Sequence, residues 1–332
     1  MVTQRVASVT MAYNAARVLP RQVEALLRQS RPLQEIIVVD NASTDGTIAM
    51  LAERYPQVTV LRMSENLGAA GAWAAGLSYA AVERGYDWVW TFDDDSVPEE
   101  GALDCLLSGL ARLDLDGNGH EVGMIVPMPF NRETGAHYPP SFWRNGFVKS
   151  TNKQISHPVW FADLAIASGS LVRREAVRSV GVPRADFFMD VFDFEYCLRL
   201  RGHGYRIAVI TGAEMAHEIG NTRKVNFPGY KRLWMNQPPW REYYLSRNLT
   251  HLAWRLYPNF LTRVSMARHL AVHFAGVLLF SSNGFACAAR IIQGVTDGLR
   301  GRLGIRVRPG VAGSRKRGVA LASTEKIEAG KA

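Results

Sequence analysis

A chain of 332 residues with 47% hydrophobic and 21% charged residues is too apolar to be disordered. It is long enough for one large domain, or a domain with a sizeable appendage. The formal net charge of +9 is uneven: Leu299–Ala332 holds nine Lys or Arg against two Glu, so about +7 sits in the tail and the body is nearly neutral. A tail of this kind suits nucleic acid or an anionic membrane surface.

The elements alternate in the first part of the chain. Val6–Tyr13 reads as a strand, and Met1–Asn14 lacks the basic-then-apolar layout of a secretory leader, which points to a cytoplasmic protein. Leu19–Ser30 has helical spacing after Pro20. Glu35–Asp40 is a buried strand, and the polar run Asn41–Thr47 opens a short helix to about Arg54. Val58–Arg62 is a third strand, Gly68–Arg84 a small-residue helix and Asp87–Phe92 a fourth strand. Units of this length predict a mostly parallel sheet covered on both faces.

Beyond Phe92 the spacing predicts a helix over Pro98–Arg112 and a strand at Gly123–Pro127. Asn131–Pro158, rich in Pro, Gly, Asn and aromatics, reads as a loop-dominated insertion. Leu164–Arg173 resumes as a strand that leads into a helix ending near Gly181. Asp193–Arg201 is expected to be a helix, Tyr205–Ile210 a strand, and everything from Trp240 helical. No Lys, Arg, Asp or Glu lies between Arg268 and Arg290, a length that can span a bilayer, but the stretch contains His269, His273, Ser281, Ser282, Asn283 and Gly284. An amphipathic or interfacial hairpin, or a buried helix of a C-terminal lobe, fits it better than a transmembrane helix. Cys105, Cys197 and Cys287 form neither a metal-ligand spacing nor a disulfide framework, in keeping with a reducing compartment.

The chemistry concentrates at strand ends. Asp93-Asp94-Asp95 follows the apolar run Trp88–Phe92. Three adjacent carboxylates repel one another, and at the carboxyl end of a strand they call for a cation that holds a phosphorylated ligand. Asp40, at the end of the second strand, is placed to accept from a pyrimidine imide N–H, and Tyr13 to stack on the same base. Asp45 in the same run reads as turn-forming or capping. Trp143, Trp160, Phe161 and Trp240 could stack on apolar sugar faces, with Trp160 assigned to the acceptor, although core or lid packing is the safer reading for most of them. There is no GxxxxGK[ST], and Gly68, Gly71 and Gly76 have the wrong spacing for a dinucleotide fingerprint. A sugar nucleotidyltransferase would need a glycine-rich basic loop after the first strand, whereas Tyr13–Arg17 contains no glycine.

Val39–Thr47, then Glu65–Gly71, then the acidic triplet together resemble a family 2 inverting glycosyltransferase with the GT-A fold, over roughly residues 4–220. The resemblance implies an α/β fold of GT-A type, a Rossmann-like, mixed but mostly parallel sheet between helices, with a helical C-terminal region. It implies a nucleotide-sugar-binding and catalytic domain over 1–225, a helical region over 226–308 that contacts membrane or acceptor, and a basic tail over 309–332. Carried over, Asp93 and Asp95 would face Mn²⁺ or Mg²⁺, Asp94 would lie by the ribose or donor sugar, and Asn66 and Gly68 would belong to the donor site. Phe187–Arg201 resembles the segment of galactofuranosyl- and rhamnosyltransferases that carries the base. Asp193 would be that base or merely a helix cap, Asp190 the next candidate, and Glu195 an acceptor-orienting or capping residue. His217 would complete the metal shell, and Arg247, within Tyr243–Asn248, would contact the donor diphosphate or an acceptor phosphate. The implied donor is UDP-galactofuranose or dTDP-rhamnose, and the acceptor a cell-envelope glycan or polyprenyl-linked sugar. The implied setting is peripheral, on the inner face of the plasma membrane, without nucleic acid.

Overall fold

The computed structural model describes residues 4–115, 121–144, 147–150, 156–217, 222–227 and 230–309, so the basic stretch beyond residue 309 lies outside it. Four strands, β1 (Val6–Ala12), β2 (Glu35–Asp40), β3 (Thr59–Arg62) and β4 (Trp88–Asp93), pair in parallel in the order β3-β2-β1-β4. β1 and β2 are nearly continuous apolar runs because helices cover both faces, as parallel strands require. α1 (Leu19–Leu27), α2 (Thr47–Arg54) and α4 (Ala102–Leu115) lie on the face where Leu19, Val23, Leu51, Leu106 and Leu107 are buried. α3 (Gly68–Leu77), α5 (Arg174–Val180) and α6 (Phe192–Gly202) lie on the face that buries Trp73, Val177 and Tyr196. Gly76 lets α3 sit directly on the sheet: a Cβ there would meet Val9 Cγ1 at 2.2 Å.

The second half of the sheet is mixed. β10 (Leu171–Arg173) runs antiparallel between β4 and β6 (Val122–Phe130), and β6 pairs in parallel with β11 (Arg206–Ala216). β5 (Val97–Pro98) and β9 (Val159–Ala162) both run antiparallel to β11. Two strand expectations need correction, one at Leu164–Arg173 and one at Tyr205–Ile210. Only the last three residues of Leu164–Arg173 form a strand, because Thr91 Oγ1 donates to Ala167 O at 2.6 Å and Gly169, at φ +80°, turns the backbone. The loop-dominated insertion Asn131–Pro158 holds one hairpin, of β7 (Ser141–Arg144) with β8 (Phe147–Ser150), whose Phe, Trp and Val residues favour strand despite the flanking prolines, and β9 follows directly after it. β11 runs six residues past Ile210, through a register break between Val209 and Glu214. After β11, β12 (Thr222–Phe227) and β13 (Tyr230–Met235) form a separate hairpin, and the C-terminal helices begin with α7 (Pro239–His251).

After α7 come α8 (Phe260–Phe280) and α9 (Gly284–Arg300), a helical hairpin. No helix among the described residues is long and apolar enough to cross a membrane. α9 lies tightly on α7 because Gly294 and Gly298, one helical turn apart, carry no side chains: a Cβ at Gly294 would meet Tyr243 O at 2.4 Å, and one at Gly298 would meet Arg247 O at 2.5 Å.

Candidate active site

The acidic triplet is built by the end of β4 and fixed by neighbours on three sides. Gln22, fully buried on α1, donates its amide to Asp93 O and, at 2.9 Å, to Ser96 O. The Asp93 N–H donates to Ser168 Oγ at 3.0 Å, and Ser168 in turn donates to Ser96 Oγ at 2.7 Å. β5, immediately after the triplet, pairs Val97 with Ala216, which brings the next residue, His217, beside the carboxylates. Ser96 Oγ contacts His217 Nδ1 at 2.7 Å and orients the ring, the kind of outer contact that holds metal-ligating imidazoles. Asp93, Asp95 and His217 offer ligand atoms that all lie within 4.8 Å of one another. Two carboxylates and an imidazole form a donor set that suits Mn²⁺ or Mg²⁺.

The charges show why a cation belongs there. Burial, together with the neighbouring Asp95, holds the Asp93 carboxyl above the ordinary carboxylate range, against the pull of His217. Burial and the charges of Asp95 and Asp93 push Asp94 up to about 7, although the Tyr13 N–H donates to its Oδ2 at 3.3 Å. A bound divalent ion offsets this repulsion.

Asp193 lies near enough to the triplet for the charge of Asp93 to act on it. The chain reaches it through a strained segment: Phe188, Asp190 and Val191 all have positive φ, three of the five such non-glycine residues among those described. Asp193 is not the helix cap. α6 begins at Phe192, and Asp193 lies in its first turn, where Phe194 N–H donates to its Oδ1 at 2.9 Å. Burial, with the charges of Asp190 and Asp93, nevertheless pushes Asp193 up to about 7. Asp190 is held by Arg241, whose Nε and Nη2 donate at 3.1 and 2.8 Å. Arg241 was not foreseen. It follows Pro238-Pro239-Trp240 at the start of α7, and nothing in its local pattern signals a partner 51 residues away.

The strained segment is clamped from two sides. From α7, Asn248 Nδ2 donates to Phe187 O, Met189 O and Asp190 O at 3.0, 2.7 and 2.9 Å. From α3, the Ala70 N–H donates to Phe188 O at 3.1 Å. Gly68 closes the contact: it has φ +74°, and a Cβ would stand 2.0 Å from Phe188 O. Asn66 Oδ1 accepts from Gly68 N–H at 2.8 Å, while Asn41, another residue not singled out from sequence, bridges Leu67 N–H and Gly68 O. Asn66 and Gly68 thus help to shape the loop that leads to Asp193.

Three expected ligand contacts are corrected. Arg247 is fully buried and uses its guanidinium on Gly304 O, Asp186 O, Phe187 O and Asn248 Oδ1, so it braces the loop and has no path to a phosphate. Glu195, 3% exposed, is taken up by Arg199 at 3.0 Å through both oxygens. Trp160 is buried on β9 and packs against Phe142 at a centroid distance of 5.9 Å, leaving no face for a sugar. Asp40 is also buried, but it lines an open crevice of about 520 Å³ with Ala42, Ser43, Thr44, Arg62, Met63 and Ser64. Tyr13 stands exposed at the end of β1. Asp45 uses its carboxylate on Thr47 and on Ala16 N–H, as a turn residue does.

Gly68→Ala is expected to lower unfolding stability by about 3 kcal/mol, since it adds a left-handed strain to a backbone clash. Denaturant unfolding checks this, and an unchanged midpoint contradicts the close approach.

The profile of glycosyl transferase family 2 matches residues 8–181. The chain is 24% identical over 273 residues to the dTDP-rhamnosyl transferase RfbF of Shigella flexneri, covering 81% of this chain and 87% of that one. It is 25% identical over 225 residues to the galactofuranosyltransferase GlfT1 of Mycolicibacterium smegmatis, with 66% and 72% coverage. It is 28% identical over 233 residues to the N-acetylglucosaminyl-diphospho-decaprenol L-rhamnosyltransferase of Mycobacterium tuberculosis, with 63% and 74% coverage. Among solved structures, S. aureus TarS 1-349 in complex with UDP superposes with a TM-score of 0.54 at 13% identity, covering 90% of this chain and 83% of that one, a likeness of GT-A fold. The match over more than half of the chain, on a sheet that ends in an acidic triplet, makes this protein a glycosyltransferase that belongs to glycosyl transferase family 2.

Proposed function

We propose that the chain is an inverting hexosyltransferase that moves galactofuranose or rhamnose from UDP-galactofuranose or dTDP-rhamnose to a cell-envelope glycan or polyprenyl-linked acceptor. The observation that carries this reading is the convergence of two groups from distant parts of the chain. The Asp93/Asp95/His217 cluster and the Asp193 carboxylate lie close enough together for the charge of Asp93 to raise Asp193. The names of the relatives support the choice of sugars.

In this reading Asp93, Asp95 and His217 hold Mn²⁺ or Mg²⁺, which when bound neutralises the charge of the departing diphosphate. Asp40 receives the base of the nucleotide, Tyr13 stacks on it, and Asp94 lies by the ribose or donor sugar. Asp193 accepts the proton of the acceptor hydroxyl as that oxygen attacks the anomeric carbon from the side opposite the leaving group. The clamped loop fixes where this carboxylate stands, and its raised affinity for a proton suits a base that works near neutrality. Asp190, neutralised by Arg241, is left to position the acceptor rather than to take a proton. The reaction takes place at the inner face of the plasma membrane, where a polyprenyl-linked acceptor is anchored.

A donor screen with purified protein tests this reading, run with Mn²⁺ and with a chelator. One of the two donors is expected to support transfer, and the chelator to abolish it. Asp193→Asn should lose roughly 10²- to 10⁴-fold in turnover while still binding the donor. Unchanged turnover in that variant sinks the base assignment, and chelator-insensitive transfer sinks the metal assignment.

The dependence on pH follows from the same group. A base must be unprotonated, so activity falls as pH drops through its pKa. For Asp193 that value is about 7, and a cation on Asp93 and Asp95 draws it somewhat lower. The kcat/KM profile should therefore show an ascending limb at or just below about 7, far above an ordinary aspartate near about 3.9. A profile flat from about pH 5 to 8 contradicts it.

A further inference from the structure

The apolar surface of this protein is concentrated in one place. Of the 14 large hydrophobic side chains that stand exposed among the described residues, nine lie between Phe260 and Leu299, on α8 and α9. On α8 they follow one helical face through Phe260, Val264, Val272 and Leu279, and the alanines at 267, 271 and 275 fill the gaps in the same stripe. The hairpin tip is the most exposed part: Leu279 is 73% and Phe285 88% exposed, on either side of the Ser281–Asn283 turn. A monomer rarely leaves so large a contiguous apolar face uncovered.

Charge says what covers it. From Tyr243 to Thr296 there is no Asp or Glu, while Arg247, Arg255, Arg263, Arg268 and Arg290 are all present. Arg263 and Arg268 are exposed on α8 before the tip, Arg268 within the apolar face itself, and Arg290 lies half-buried on α9 after it. The chain then continues into the strongly basic stretch after Leu299. Glu242, the acidic group that does reach the hairpin, is fully buried against His273, so the exposed apolar tip between arginines is complementary to anionic headgroups over an acyl layer. A second copy of the chain would bring the same arginines to the contact and repel. No helix among the described residues is long and apolar enough to cross a bilayer, so contact with one would be at its surface.

We propose that the α8–α9 hairpin is a monotopic anchor whose Leu279/Phe285 tip enters the interface of a bilayer rich in anionic phospholipid. This names the surface that serves the lipid-linked acceptor of the proposed function, and for its biological sense it rests on that reading. The anchor is joined to the chemistry. α9 packs on α7 through Gly294 and Gly298, and α7 carries Asn248, Arg247 and Arg241, which hold the loop before Asp193. The element that meets the lipid is therefore packed against the element that places the base.

Co-sedimentation of the full chain with phosphatidylcholine vesicles, with and without phosphatidylglycerol, tests the anchor without donor or acceptor, so it can fail while the transferase reading stands. The protein should sediment with the phosphatidylglycerol vesicles, and added salt should weaken this. The double variant Leu279→Glu/Phe285→Glu should reduce the bound fraction about tenfold, with an unchanged far-UV spectrum and unchanged transfer to a soluble acceptor. Absence of binding by the native chain overturns the proposal. So does equal binding by the variant, which would assign vesicle affinity to the basic tail alone. A dimer in analytical ultracentrifugation that the variant dissociates would assign the face to a second copy and overturn it as well.

Discussion

Carboxylates gathered at the carboxyl edge of the sheet set the terms for the rest of this structure. Asp93, Asp94, Asp95, Asp190 and Asp193 come from two segments nearly a hundred residues apart, and burial raises three of them. Leaving buried carboxylates ionised and unpaired is costly. The chain meets that cost locally with Arg241 on Asp190 and with backbone donors on Asp94 and Asp193. What remains is the Asp93/Asp95/His217 cluster, whose hard oxygen and imidazole donors fit a divalent cation.

Much of the scaffold then reads as a means of holding that arrangement still. Gln22, Ser96 and Ser168 fix the turn after β4. The loop before Asp193 adopts left-handed conformations that ordinary residues avoid, so it persists only because its surroundings over-determine it. Asn248 saturates its carbonyls, Arg247 braces its start from inside the protein, and Gly68 and Ala70 press on Phe188 O. The C-terminal helices thus help to hold the loop that leads to Asp193. Arg308 extends the link by reaching back to Glu65 at 3.0 Å, next to the Asn66–Gly68 turn.

The parallel half of the fold was legible in the sequence because β1, β2 and β4 are mostly apolar runs that end in polar turns. The mixed half was not. β10 is three residues long, β9 hides among prolines and aromatics, and β11 continues through Thr211 and Gly212, where sequence alone suggests an end. At the site, Asp93, Asp95, Asp193 and His217 could be picked out because short ordered motifs surround them. Arg247 sits in just such a motif, yet is fully buried, since a motif records that a residue matters and not what it touches. Arg241 and Asn248 act through contacts with a loop more than fifty residues upstream, which no local pattern encodes.

A single base opposite the departing nucleotide has one consequence that no other arrangement of these residues shares: the anomeric configuration must invert once per transfer. The most direct test is therefore the stereochemistry of the product, followed by proton NMR from the first turnovers with a donor of known anomeric configuration. The account predicts a glycosidic bond of the opposite configuration. A product that retains the donor configuration would require a double displacement and would contradict the role given to Asp193.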